Sequence, residues 1–198
     1  MHPLDHLAAQ RRIDRFDMLG KAAALPDQCL EGWVRGLSWQ VPRGLARLRE
    51  LLVLGVGGSA IGGDLIQGLL GEKVLRPVFV NRNYTLPAWV GPETLVLAVS
   101  YSGNTEETLT AAYEAKRRGA KVLAITSGGK LAQWAAQREI PLARIPGGWP
   151  PRAAMGYGAF VPLGLLSRLG WFDRKRGFPV QEAVEEAQGF VARSLIPT

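Results

Sequence analysis

Apolar residues fall into two kinds of block along this chain. The first kind is a short unbroken run: Leu51-Leu52-Val53-Leu54-Gly55-Val56, Pro77-Val78-Phe79-Val80, Leu95-Val96-Leu97-Ala98-Val99, Val122-Leu123-Ala124-Ile125 and Pro141-Leu142-Ala143-Arg144-Ile145. Runs without a polar face are expected of strands buried on both sides of a sheet. The second kind repeats every three or four residues, as one face of a helix does. Ile61, Leu65, Ile66, Leu69 and Leu70 share such a face, as do Leu109, Ala112 and Tyr113, and then Leu131, Trp134 and Ala135. Strand runs alternating with helical blocks predict an α/β fold, a five-stranded parallel sheet sandwiched by helices.

The flanks read as helical. Ile13, Phe16, Leu19 and Ala23 predict an amphipathic face, Pro26 interrupts it, and a second helix is expected from about Gln28 to Trp39. After the third strand, Asn104 and Glu107 have the spacing of a capping box. Glu106 and Glu107 suit the positive end of the helix dipole, and Lys116, Arg117 and Arg118 its negative end. Gly119 offers a left-handed stop. Beyond the fifth strand, GGWPPRAAMGYGAFVPLGLLSRLG predicts a buried helix opened by Pro151 and kinked at Pro162. It can cover the sheet or form an interface. A last amphipathic helix over 179–196 carries Val180, Val184, Ala187 and Val191 on one face.

Length and composition change this picture little. At 198 residues, 47% hydrophobic and 21% charged, the chain has material for one full domain with extra helices. The start, MHPLDHLAAQRRIDRFD, is too charged for a signal peptide. The least polar stretch, 153–166, falls short of the ~18–20 residues a membrane span needs. A soluble, cytoplasmic protein with no membrane partner is expected. Cys29 is the only cysteine and His2 and His6 the only histidines, so neither a disulfide nor a thiolate or histidine metal site is expected. The net charge is +7, but the basic residues are scattered, without a run of five. That distribution points away from nucleic acid and is compatible with steering of anionic metabolites.

Ligands of an open parallel sheet bind beyond the carboxyl ends of its strands. Three loops at that edge are rich in small and hydroxyl residues: Gly57-Gly58-Ser59, then Ser100-Tyr101-Ser102-Gly103-Asn104-Thr105, then Thr126-Ser127-Gly128-Gly129. Small residues let backbone amides approach an anion, and helix N-termini add donors and a favourable dipole. Ser100, Ser102 and Thr105 add hydroxyls. Ordinary turn and capping chemistry accounts for one such loop; three on one edge argue for an anion site. Gly55-Val56-Gly57-Gly58-Ser59-Ala60 also fits a GxGxxA dinucleotide fingerprint, and Arg82 after the second strand is able to take a 2′-phosphate, which leaves NADP binding as an alternative. No GK[ST] follows these glycines, so a Walker A loop is excluded.

GVGGSAIGGD followed by SYSGNTEET resembles the SIS (sugar isomerase) domains, which are flavodoxin-like. DRFDMLGKAAALPDQCLEGW upstream and PPRAAMGYGAFVPLGLL downstream narrow the resemblance, over about 14–169, to the bifunctional phosphoglucose/phosphomannose isomerases. The resemblance implies metal-free, cofactor-free interconversion of glucose 6-phosphate or mannose 6-phosphate with fructose 6-phosphate through a cis-enediolate, in a homodimer. It implies that Ser100, Ser102 and Thr105 hold the phosphate, that Gly57, Gly58 and Ser59 lie along the sugar, and that Arg152 stabilises the enediolate. A guanidinium beside developing oxyanion charge is chemically apt.

The chain also departs from the family. The family's glutamate base and histidine–lysine pair lie on a second SIS domain, and no histidine follows His6 here. Asp64, Glu106 and Glu107 read as helix-start residues. The expected organisation is a helical segment over 1–50, a phosphosugar-binding SIS domain over 51–170, and a linker helix over 171–198 towards a second SIS domain that is missing. A single-domain hexulose-phosphate isomerase fits the length but wants an acid/base pair. A non-catalytic phosphosugar sensor would keep the loops and dispense with the base. A zinc-dependent phosphoheptose isomerase is disfavoured by the scarcity of histidine.

Overall fold

The computed structural model describes residues 12–172 and 179–194; expectations for His2, His6, 173–178 and 195–198 lie outside the described residues. The strands β1 (Glu50–Leu54), β2 (Val78–Asn81), β3 (Thr94–Val99), β4 (Lys121–Thr126) and β5 (Leu142–Arg144) form one parallel sheet in the order β2-β1-β3-β4-β5. Register is fixed by pairs such as Leu52 with Val96 and Val99 with Ile125. Seven described helices surround it: α1 (Met18–Ala23), α2 (Leu25–Ser38), α3 (Gly58–Leu70), α4 (Glu106–Arg117), α5 (Gly129–Gln137), α6 (Met155–Leu169) and α7 (Val180–Ser194).

The unbroken apolar runs are explained by two cores, because successive strand residues point to opposite faces. Leu51, Val53, Leu95, Leu97, Leu123 and Ile125 pack with Ile66 of α3 and with Val161 and Leu163 of α6. Leu52, Leu54, Val96, Ala98 and Ala124 pack with Leu109 and Ala112 of α4 and Leu131 of α5. Each fully buried leucine is worth about 2 kcal/mol of transfer free energy, so β1 and β3 are held from both sides. The chain order reverses about β1, where the connections after β1 and β3 leave to opposite faces. Such a reversal is where an open parallel sheet places its ligand cleft, at the carboxyl edge.

Helix α6 covers the sheet, which answers the question its apolar sequence left open. It lies against α2 with almost no side chain between them. A Cβ on Gly36 would come within 2.2 Å of the Val161 carbonyl oxygen, and one on Gly164 within 2.3 Å of the Trp33 oxygen. Pro162 sits inside α6. It has no N–H for the Gly158 carbonyl, and Gly62 of α3 crosses there, where a Cβ would be 2.7 Å from that oxygen.

Several local expectations are corrected. Pro26 does not interrupt a helix; it occupies the first turn of α2, where its missing N–H is no loss. The break falls at Ala24 instead. Ile13 and Phe16 form no buried face, being 81% and 78% exposed, and α1 buries no residue. On α3 only Ile66 and Leu70 of the predicted face are buried. Pro151 opens a separate 3-10 turn (Pro151–Ala153), and α6 begins after it. Gly119 does take a positive φ of 87° at the end of α4.

Candidate functional site

The cleft is floored by two of the three expected loops. Gly57 turns the chain out of β1 with φ 57°, and α3 begins at once with Gly58 and Ser59. The Ser59 hydroxyl accepts from the Tyr101 amide at 3.3 Å, which ties the first loop to the second. In the second loop Ser100 is 1% exposed and its Oγ lies 2.9 Å from Thr105 Oγ1, a pair in which either hydroxyl can donate. The Gly103 amide donates to both Ser100 O and Ser100 Oγ at 3.1 Å. The exposed Ser102 hydroxyl accepts from the Asn104 amide at 3.2 Å. Thr105 is the N-cap of α4 and makes no side-chain cap bond. The first-turn amides of α4 therefore point back at the loop unclaimed by a side chain.

The expected capping box is absent. Asn104 Oδ1 instead accepts from the Lys130 amide at 3.1 Å, which spends it on the neighbouring loop. That third loop acts as a buttress. Ser127 Oγ donates to the Tyr101 carbonyl at 2.7 Å, Thr126 Oγ1 donates to Gly128 O at 2.9 Å, and the Leu131 amide donates to Gly103 O at 2.9 Å. The contact is backbone to backbone: Gly103 has φ 70°, and a Cβ there would lie 1.8 Å from the Gly128 oxygen.

Arg152 stands on the 3-10 turn beside the first loop. A Cβ on Gly58 would be 3.1 Å from Pro151 O and 3.5 Å from Arg152 Cα. Behind the loops, Gly58, Ser59, Val99, Tyr101, Ile145 and Pro151 leave only about 10 Å³ between them, so a ligand must sit on their outer side. The Arg152 side chain is exposed and lines a separate hollow of about 160 Å³ with Met18, Lys21, Ala22 and Leu25. The structure thus brings together Gly57, Gly58, Ser59, Ser100, Ser102 and Thr105, and adds the Arg152 backbone at their rim. A larger apolar hollow of about 320 Å³ lies at the opposite edge of the sheet and contains no serine or threonine.

Asp64 is not a helix-start residue; it lies within α3 and pairs with Arg82, so the cation suited to a 2′-phosphate is already held. Glu106 and Glu107 do occupy the first turn of α4. Burial pushes the Cys29 thiol up to about 11, which makes it a poor nucleophile. Burial acts to raise the Glu31 carboxyl, but hydrogen bonds from Tyr157 and Arg35 outweigh it and hold the group below its ordinary value. Glu31 is therefore poorly suited to act as a base. Among the described residues no three His, Cys, Asp or Glu side chains group as a metal site, and no helix is long and apolar enough to cross a membrane.

Comparison with known proteins gives relatives in sequence and in fold. Residues 45–138 match the family described as SIS domain. The chain is 44% identical over 163 residues to a bifunctional phosphoglucose/phosphomannose isomerase of Caldicellulosiruptor bescii, covering 82% of this chain and 46% of that protein. It is 38% identical over 122 residues to a D-glucosamine-6-phosphate 4-epimerase of Sulfolobus acidocaldarius, covering 61% and 38%. The fold matches a solved structure described as a hypothetical protein of Thermus thermophilus with a TM-score of 0.62 and 20% identity, over 98% of this chain and 49% of that one. The chain spans less than half the length of these curated relatives.

Proposed function

We propose that this chain carries an SIS domain akin to that of the bifunctional phosphoglucose/phosphomannose isomerases and grips a phosphorylated hexose for aldose–ketose isomerisation. Ser100, Ser102 and Thr105, with the first-turn amides of α4, take the phosphate. Gly57, Gly58 and Ser59 lie along the sugar chain. The substrates are glucose 6-phosphate and mannose 6-phosphate, and the product is fructose 6-phosphate. The observation that carries this reading is the second loop: its backbone is pinned by the 126–129 loop while Ser102 is exposed, Thr105 is half-buried and the first turn of α4 has no side-chain cap. That is a preorganised anion cradle.

In the reaction a base removes the proton from C2 of the aldose, the electrons pass into a cis-enediolate, the hydroxyl proton passes from O2 to O1, and a proton returns to C1 as the C2 carbonyl of the ketose forms. Arg152 balances the negative charge of the enediolate from the rim of the cleft. Its exposed side chain has only to leave the hollow beside α1. Proton transfer needs a positioned group of suitable pKa; Asp64 is paired with Arg82, and Glu106 and Glu107 stand in the first turn of α4, at the phosphate end of the ligand. We therefore assign that step to a second SIS unit, with 1–50, 51–170 and 171–198 forming the helical, phosphosugar-binding and linking parts of this one.

Thermal-shift titration tests the reading. Fructose 6-phosphate is expected to raise Tm, and NADPH is expected to leave it unchanged; the reverse result overturns the assignment. Ser102→Ala with Thr105→Val should weaken sugar-phosphate binding by ~10-fold or more, since charge-assisted hydrogen bonds are worth about 1.5–3 kcal/mol each. The 198-residue chain alone should turn over fructose 6-phosphate poorly.

A further inference from the structure

Arg152 has no hydrogen bond or ion pair of its own among the described residues, yet the turn that carries it is held at closely spaced points around it. Tyr101, in the middle of the phosphate loop, reaches across the cleft with its phenol. The hydroxyl donates to Pro146 O at 3.1 Å and accepts from the Trp149 amide at 2.8 Å. On the far side Gln28 Nε2 donates to Ala153 O at 2.8 Å. Gln28 is 2% exposed and sits against Gly156, where a Cβ would come within 2.7 Å of its own Cβ. Between these bonds Pro151 rests on Gly58. Residues 149, 151 and 153 are thus each anchored around residue 152.

We infer that Tyr101 and Gln28 are positioning residues that set the arginine turn at a fixed distance from the phosphate loop. The inference rests on the reading of Arg152 given above. Packing alone does not call for either polar group. A phenylalanine ring would fill the space of Tyr101, and a methionine would fill that of Gln28. A buried amide without a use for its donor costs free energy, and this one spends its donor on the carbonyl next to Arg152. Tyr101 matters more, because one residue belongs to both halves of the device. Its backbone is clamped to Ser59 and Ser127, and its hydroxyl is clamped to the strand exit that leads to Arg152. The phosphate grip and the arginine are thereby made one rigid ruler for the length of a hexose chain.

The test separates the two ends of the ligand. Inorganic phosphate reports the grip alone. A five-carbon aldonate phosphate, whose carboxylate mimics the enediolate, reports grip and arginine together. Dissociation constants for both are measured on the 198-residue chain. Tyr101→Phe and Gln28→Met are each expected to weaken the aldonate phosphate about tenfold and to leave inorganic phosphate within about twofold. Arg152→Ala should produce the same selective loss, and adding Tyr101→Phe to it should cost nothing further. The positioning role is overturned if Tyr101→Phe weakens both ligands alike, weakens neither, or acts as strongly without Arg152 as with it. If Arg152→Ala leaves the aldonate phosphate unchanged, the arginine reading fails first and takes the positioning role with it. Should Gln28→Met fold poorly, Tyr101→Phe decides the matter, because it keeps the ring and removes one oxygen.

Discussion

The phosphate loop and the arginine turn border the same cleft and are built in opposite ways. The loop has a buried serine, a glycine at positive φ and backbone contacts that leave no space for a side chain. The turn displays an exposed arginine whose side chain has settled against α1. Recognition of an anion present throughout the reaction gains from rigidity before binding. Stabilisation of charge that develops later needs only a fixed anchor and a side chain free to arrive. The difference separates ground-state binding from transition-state stabilisation on two neighbouring segments.

The phosphate loop is most vulnerable at Gly103. Gly103→Ala places a methyl 1.8 Å from the Gly128 oxygen at a backbone φ of 70°. We expect a loss of about 3 kcal/mol or more, seen as a fall of roughly 6–12 °C in Tm, together with loss of the thermal shift by fructose 6-phosphate. An unchanged Tm would mean that the two loops separate easily and that the cradle is not rigid. Arg152→Ala probes the other segment. Because the side chain is exposed, stability should stay within about 0.5 kcal/mol. The affinity for an aldonate phosphate should nevertheless fall by ~10- to 100-fold, as read by isothermal titration. A variant that lost stability instead would make Arg152 a structural residue.

The sheet was legible because its central strands β1, β3 and β4 are buried on both faces and so carry apolar runs that no helix face interrupts. The first two loops were legible because their chemistry is local, within five or six residues. What stayed hidden depends on distant partners. Asn104 has the spacing of a cap, but it is claimed by Lys130. The hydroxyls of Thr126 and Ser127 look like ligand donors, but they are spent on Gly128 and on Tyr101. Tyr101 and Gln28 reach partners 45 to 125 residues away, and nothing near them in sequence announces it. The apolar periodicity of Ile13 and Phe16 describes a face without showing what covers it, and here both are exposed.

The seam beneath the arginine turn responds to pH, and weakly. Helix α2 and helix α6, which flank the arginine turn, are joined by Tyr157, whose hydroxyl donates to Glu31 Oε2 at 2.6 Å, with Arg35 on the same carboxylate. Burial, then the Glu31 hydrogen bond, raises the Tyr157 phenol, so it stays protonated and donating. The Glu31 carboxyl lies below its ordinary value of 4.5 in the folded chain. A depressed carboxylate stabilises the fold above that ordinary value, and the contribution fades as pH falls through the folded one. Tyr157→Phe should therefore cost about 1 kcal/mol at neutral pH, or ~2–4 °C in Tm. The gap between wild type and variant should narrow as pH drops below 4.5. The phosphate loop contains no carboxylate, so Ser102→Ala should show a Tm difference that does not vary over the same range. A gap for Tyr157→Phe that stayed constant from neutral pH into acid would remove the ionised Glu31 from the account. The seam beneath the arginine turn would then rest on glycine packing alone.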